Sequence, residues 1–188
     1  MTERPPLLVA LCSPAMGSGK TTAAQHLIHD HGFVKIAFAD PLKKMTIALL
    51  QCAGMDEEEI TARVYGARKE ETIPLLDRSS RYLQQVIGTE FGRELVHPDI
   101  WIKIAMAAVD QWHELGFNVV VDDMRFANEL EAVRAAGGHP LRIFRPGCEV
   151  TRSHASEGAL DHETMPQIVN DSTIPVLTAQ VDAWLASL

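Results

Sequence analysis

Cysteine is scarce in this chain: Cys12, Cys52 and Cys148 are odd in number and widely spread over 188 residues. No CxxC pair or metal-ligand cluster is visible, so reduced thiols in a cytoplasmic protein are expected rather than a disulfide framework. Long apolar runs are lacking too. No stretch approaches the roughly 20 residues that cross a bilayer. The opening Met1-Thr2-Glu3-Arg4-Pro5-Pro6 leads into an apolar run too short for a signal-peptide core. Cytoplasmic localisation without a membrane partner is the expectation. Positive charge is in deficit, with 17 Lys and Arg against 25 Asp and Glu and a net charge of −8. That balance disfavours a nucleic-acid partner held by general phosphate attraction. Repeats, low-complexity tracts and obvious linkers are missing, and the length suits one full core better than two.

What is present is a phosphate-binding signature. Leu7-Leu8-Val9-Ala10-Leu11 reads as a short buried strand, and Thr22-Ala23-Ala24-Gln25-His26-Leu27-Ile28 as a helix. Between them lies Pro14-Ala15-Met16-Gly17-Ser18-Gly19-Lys20-Thr21. A glycine-rich turn from strand to helix that ends Gly-Lys-Thr is the context of a P-loop. Backbone N–H groups and the helix N-terminus converge there on a polyphosphate. Gly17, Ser18, Gly19, Lys20, Thr21 and Thr22 are therefore assigned to the phosphates of ATP, with Lys20 reaching the β- and γ-phosphates. The Thr21 hydroxyl is assigned to Mg²⁺. Pro14 stands where the motif usually has its first glycine, and proline can neither take positive φ nor donate an N–H.

Further along, apolar strands alternate with helices. Phe33-Val34-Lys35-Ile36-Ala37-Phe38, Phe117 to Val121, Leu141-Arg142-Ile143-Phe144 and Gln167-Ile168-Val169-Asn170 read as strands. Gly32 is placed as a helix stop, Asp40-Pro41 as a capped helix start, and Asp56, Ser79-Ser80 and Asp99 as the openings of further helices. Tyr65 to Asp77 reads as irregular. Apolar strands linked through helices build a parallel sheet covered on both faces, with ligands outside the carboxyl ends of the strands. The expected rim carries the glycine-rich loop, Asp122-Asp123 and Arg145.

Val119-Val120-Val121-Asp122-Asp123-Met124-Arg125 is the second constellation. An apolar strand ending in carboxylates is what P-loop enzymes use beside Mg²⁺, and Arg125 follows where a guanidinium can neutralise phosphate charge. Either Asp122 or Asp123 can face the metal. No Asn-Lys-x-Asp guanine element is present, and the chain is short for a motor or transporter ATPase. Arginine-bearing excursions in a short chain suit a small-molecule kinase, where two phosphate groups must be brought together and water kept out.

At this point the sequence resembles a family. The blocks Asp40-Pro41-Leu42-Lys43, Arg81-Tyr82-Leu83-Gln84-Gln85-Val86-Ile87-Gly88-Thr89-Glu90-Phe91-Gly92-Arg93 and His97-Pro98-Asp99-Ile100-Trp101 are similar to deoxynucleoside monophosphate kinases of the bacteriophage type. So are Asp123-Met124-Arg125-Phe126-Ala127-Asn128-Glu129, His154-Ala155-Ser156-Glu157 and Asn170-Asp171, in the same order along most of the chain. Departures are Pro14 and Thr21, since many relatives have Gly at the former and Asp at the latter. The resemblance implies a P-loop nucleoside monophosphate kinase-like three-layer α/β/α fold with a parallel five-stranded sheet. It implies one kinase domain, with a helical acceptor-binding insertion at about 40–116 and a lid at about 145–162. It further implies transfer of the γ-phosphoryl group of ATP to a deoxynucleoside monophosphate.

On that reading Lys20, Asp123, Arg125 and Arg145 form the catalytic set, with Asp122 beside the metal and Arg152 on the ATP side. Asp40, Lys43, Arg81, Gln84, Gln85, Arg93, Asn128 and Glu129 hold the acceptor nucleotide. Trp101 is assigned to the core. The partners are then small-molecule nucleotides, and self-association into a homodimer stays open. Rival readings are dephospho-coenzyme A kinase, an adenylate-type kinase, or a regulatory module that hydrolyses ATP slowly. A nucleic-acid kinase is disfavoured by the acidic balance.

Overall fold

The computed structural model describes residues 5–148 and 160–188. The chain divides into two compact units, one made of residues up to Ala37 and from Ala105 onward, the other of Phe38–Ile104.

The first unit is built on five parallel strands. They are β1 (Leu8–Cys12), β2 (Val34–Ile36), β5 (Val119–Val121), β6 (His139–Phe144) and β7 (Gln167–Val169). Their spatial order is β2-β5-β1-β6-β7. β1 lies at the centre, with Ala10 level with Val121 on one side and Pro140 on the other. All five residues of β1 are buried, which is why the strand reads as continuous apolar sequence rather than as an alternation.

Helices α1 (Lys20–His31) and α7 (Ile174–Leu185) share one core with the sheet. Ala23, Leu27, Leu177 and Val181 pack there with Val9, Leu11, Val120 and Ile143. Full burial of each such aliphatic side chain contributes about 1.5–3 kcal/mol. Leu8, one position out of phase with Val9, meets the opposite face. Helix α6 (Ala127–Ala135) lies against that face. A Cβ on Gly138 would come within 2.9 Å of both Leu8 and Val133, so only glycine allows the turn into β6 to sit there. Helix α5 (Ile100–Glu114) belongs to the second unit as far as Ile104 and to the first from Ala105.

The local signals act as expected at most helix ends. Gly32 takes φ 67° and its N–H donates to Leu27 O, closing α1. In the second unit Asp56 accepts from Glu59 N at 2.8 Å and starts α3 (Glu57–Val64). Ser79 accepts from Tyr82 N at 3.2 Å and starts α4 (Ser80–Val86). Helix α2 (Asp40–Cys52) differs from expectation: Ala39 holds the cap position, and Asp40 is already the first helical residue.

Residues 65–77 are also more ordered than their polar sequence suggests. A 3₁₀ turn (Ala67–Glu70) leads into a hairpin of β3 (Thr72–Ile73) and β4 (Arg78–Ser79). The reason is tertiary, since Ile73 is fully buried in a small core with Leu50, Ile60 and Val64. Beyond α4 the helix widens into a π-helical segment, Ile87–Val96. Trp101 is buried, as expected of a core residue, and its Nε1 donates to Gly88 O at 2.8 Å. Gly92 faces the same indole: a Cβ there would sit 2.3 Å from the ring.

Candidate active site

The carboxyl ends of four neighbouring strands converge on the glycine-rich loop. Cys12 ends β1 and opens that loop, Asp122 follows β5, Arg145 follows β6 and Asn170 follows β7. The loop turns on two positive-φ glycines, Gly17 at 74° and Gly19 at 98°. Pro14 is not among the positive-φ residues, so its fixed φ suits the place it occupies. Ser13 Oγ donates to Ala15 O at 2.8 Å and tightens the entry. Ser18 is buried.

Asn170 holds the loop from behind. Its Nδ2 donates to Ser18 O at 2.9 Å, while its own backbone N–H donates to Phe144 O at 2.7 Å. A Cβ on Gly19 would lie only 2.4 Å from Asn170 Nδ2, so glycine is required there by space as well as by φ.

A cavity of about 390 Å³ opens over this loop, lined by Cys12 to Thr22 together with Met124, Arg125, Arg142, Leu160 and Asp161. Lys20 is partly buried in it, and burial is the main cause that lowers its pKa from the usual lysine value. The guanidinium of Arg125 acts in the same direction, whereas Asp123 and then Asp122 oppose it. Arg125, Asp123 and Asp122 therefore all lie within electrostatic reach of Lys20. Arg125 itself is exposed. Its turn is held by Glu129, a buried residue of α6 whose Oε2 accepts from Arg125 N at 2.7 Å and from Phe126 N at 3.0 Å.

Asp122 pairs with Lys35 of β2 at 2.6 Å, a contact the sequence reading missed. β2 lies beside β5 with Lys35 level with Val120, which explains the meeting. Arg142 of β6 lines the cavity. Its Nη2 donates to Leu160 O and to Glu163 O, tying β6 to the chain that returns towards β7. Cys12 Sγ lies 3.4 Å from Met165 Sδ, and burial raises its pKa.

Arg145 is exposed one position beyond β6, and Asn128 is exposed in the first turn of α6. Asp40, Lys43, Arg81, Gln84, Gln85 and Arg93 all belong to the second unit. There Lys43 Nζ stands 3.9 Å from Asp40 Oδ1 and 5.6 Å from the centre of the Tyr65 ring. Arg81, Gln84 and Gln85 share the (i, i+3, i+4) face of α4, where Gln84 Nε2 donates to Ser80 Oγ at 3.1 Å. Arg152, His154 and Glu157 lie outside the described residues. No helix among the described residues is long and apolar enough to cross a membrane.

A family profile described as deoxynucleotide monophosphate kinase matches residues 54–181. A protein of Acanthamoeba polyphaga mimivirus titled "Putative deoxynucleotide monophosphate kinase" is 33% identical over 180 residues, which cover 88% of this chain and 89% of that one. The uncharacterised protein ORF77 of Ictalurid herpesvirus 1 (strain Auburn) is 34% identical over 119 residues, covering 60% of this chain and 50% of its own. Among solved structures, the dephospho-CoA kinase from Campylobacter jejuni is similar in fold, with a TM-score of 0.51 at 14% identity and 98% of each chain covered. The fold is that of the P-loop kinases, and the chain belongs to the deoxynucleotide monophosphate kinase family.

Proposed function

We propose that this nucleotide kinase moves the γ-phosphoryl group of ATP to a deoxynucleoside monophosphate, forming the diphosphate. The observation that carries the reading is Lys20, lining the same cavity as Arg125 on a glycine-rich loop, in a chain of this family. An acceptor phosphate oxygen attacks the γ-phosphorus in line as the bond to the oxygen shared with the β-phosphate breaks. Catalysis of that step is mainly positioning and charge neutralisation. Backbone N–H groups from Gly17 to Thr22 cradle the donor phosphates. Lys20 and Arg125 balance the charge that shifts towards the leaving ADP, and Arg145 and Arg152 add to that balance.

The donor set suits Mg²⁺, because the Thr21 hydroxyl and the carboxylates of Asp122 and Asp123 offer oxygen to a hard cation. When bound, the ion would supply charge neutralisation to the donor phosphates. Asp123 and Asp122 both act on Lys20, and Asp122 also pairs with Lys35 of β2; either carboxylate can support the metal. Asp40, Lys43, Arg81, Gln84, Gln85, Arg93 and Asn128 are assigned to the acceptor, whose base edge a Gln amide can read with its paired donor and acceptor. Glu129 acts through the turn it holds under Arg125. The domain reading follows: a core, an acceptor-binding region at about 40–116 and a lid at about 145–162.

ADP release from the purified chain with Mg²⁺ and ATP, measured for each ribo- and deoxynucleoside monophosphate and for dephospho-coenzyme A, tests this. Release only with a deoxynucleotide is expected. Release without any acceptor would replace the proposal with an ATPase. Lys20→Ala is expected to lower kcat about 100-fold or more while the chain stays folded by circular dichroism. Full turnover in that variant would overturn the assignment of the loop.

A further inference from the structure

Away from the cavity, the C-terminal end of α1 and the closing helix α7 bring together His26, His31 and Asp182. His26 Nε2 and His31 Nε2 both face Asp182 Oδ1, at 2.6 and 2.7 Å, and His26 Nδ1 lies 2.7 Å from Asp30 Oδ2. The two rings stand edge to face with centroids 5.1 Å apart. One ligand atom from each of His26, His31 and Asp182 falls within 4.8 Å of the other two.

Ionised carboxylate oxygens only accept hydrogen bonds, so contacts at both ends of His26 require a proton on both of its nitrogens. Either His26 is an imidazolium here, or another cation takes the place of the Nε2 protons. The surroundings favour positive charge in both cases. Two carboxylates, those of Asp182 and Asp30, face the His26 ring. The carbonyl end of α1 adds its negative pole.

We propose that His26 Nε2, His31 Nε2 and Asp182 Oδ1 bind one divalent transition-metal ion of the Zn²⁺ class, with water completing the shell. Two imidazoles and one carboxylate match such an ion rather than Mg²⁺. His26 Nδ1–H donating to Asp30 is the outer-shell contact that fixes the tautomer and leaves Nε2 as a ligand. Bonds of about 2.0–2.1 Å in a tetrahedral shell hold an imidazole nitrogen and a carboxylate oxygen further apart than the 2.6 and 2.7 Å found here. Opening falls to Asp182, whose side chain is 48% exposed. A hollow of about 530 Å³, lined in part by His31 and Asp182, provides entry and room for the water. With ligands from the two ends of the chain, the ion staples α1 to α7 and stabilises the folded state alone.

The test uses the full chain, stripped of metal and free of nucleotide, titrated with ZnCl₂. One Zn²⁺ per chain, a rise in Tm, and shifted Nε2 resonances of His26 and His31 in long-range ¹H–¹⁵N spectra are expected. Asp30→Asn should weaken binding about 10–100-fold, and the double variant His31→Asn with Asp182→Asn at least as much. The proposal is overturned by no saturable uptake, by uptake that leaves both histidines unshifted, or by undiminished affinity in a folded double variant. Should the double variant fail to fold, the spectra of the parent chain decide.

Discussion

Asn170 donates a hydrogen bond to Ser18 O, on a buried residue of the glycine-rich loop. Asn170→Ala is expected to cost about 1–3 kcal/mol in urea unfolding. It should also raise KM for ATP more than it lowers kcat, because the group acts on the shape of the loop. An unchanged KM would show that the loop keeps its shape without it. That Lys20 and Thr21 line one cavity with the loop glycines was legible, because their spacing from those glycines is local. The role of Asn170 was not, because its partner lies 152 positions away. Glu129 teaches the same lesson. Its place in a family block suggested acceptor contact, and its carboxylate is found on the backbone N–H groups of Arg125 and Phe126. Glu129→Ala is expected to lose about 1.5–3 kcal/mol, the usual weight of hydrogen bonds to a charged group. Partial recovery of stability and turnover in Glu129→Gln would separate the lost hydrogen bonds from the lost charge.

The elements differ in how much of themselves they announce. Caps at Asp56 and Ser79 and the αL stop at Gly32 could be placed from sequence because each depends on a few adjacent residues. Asp56→Ala should cost about 1 kcal/mol, read in denaturant unfolding, by removing the acceptor for Glu59 N. The β3–β4 hairpin and the π-helical segment lacked such local marks. One depends on the burial of Ile73, and the other contains the glycine that faces Trp101. Gly92→Ala must move the indole or the helix, and a loss of about 1–3 kcal/mol is expected for that overpacking. A neutral effect would mean that the segment can shift without cost.

For the whole molecule, ligand linkage offers a check that needs no turnover. Mg²⁺ with ATP at 100 times its dissociation constant should stabilise the chain by about 2.7 kcal/mol. For a protein of this size that corresponds to a rise in Tm of about 5–11 °C. The same addition to Lys20→Ala should give a smaller shift, and an equal one would remove Lys20 from the phosphate site. The amino-acid sequence by itself determined the parallel α/β architecture, the glycine-rich loop and the acidic strand end. Apolar strand runs, glycine φ and cap chemistry act over a few neighbouring residues and leave a readable pattern. Tertiary structure alone decided that Asp122 meets Lys35, that Asn170 holds Ser18, and that His26, His31 and Asp182 converge. Those contacts join residues brought near only when the sheet pairs and the helices pack, and no spacing along the chain encodes such distances.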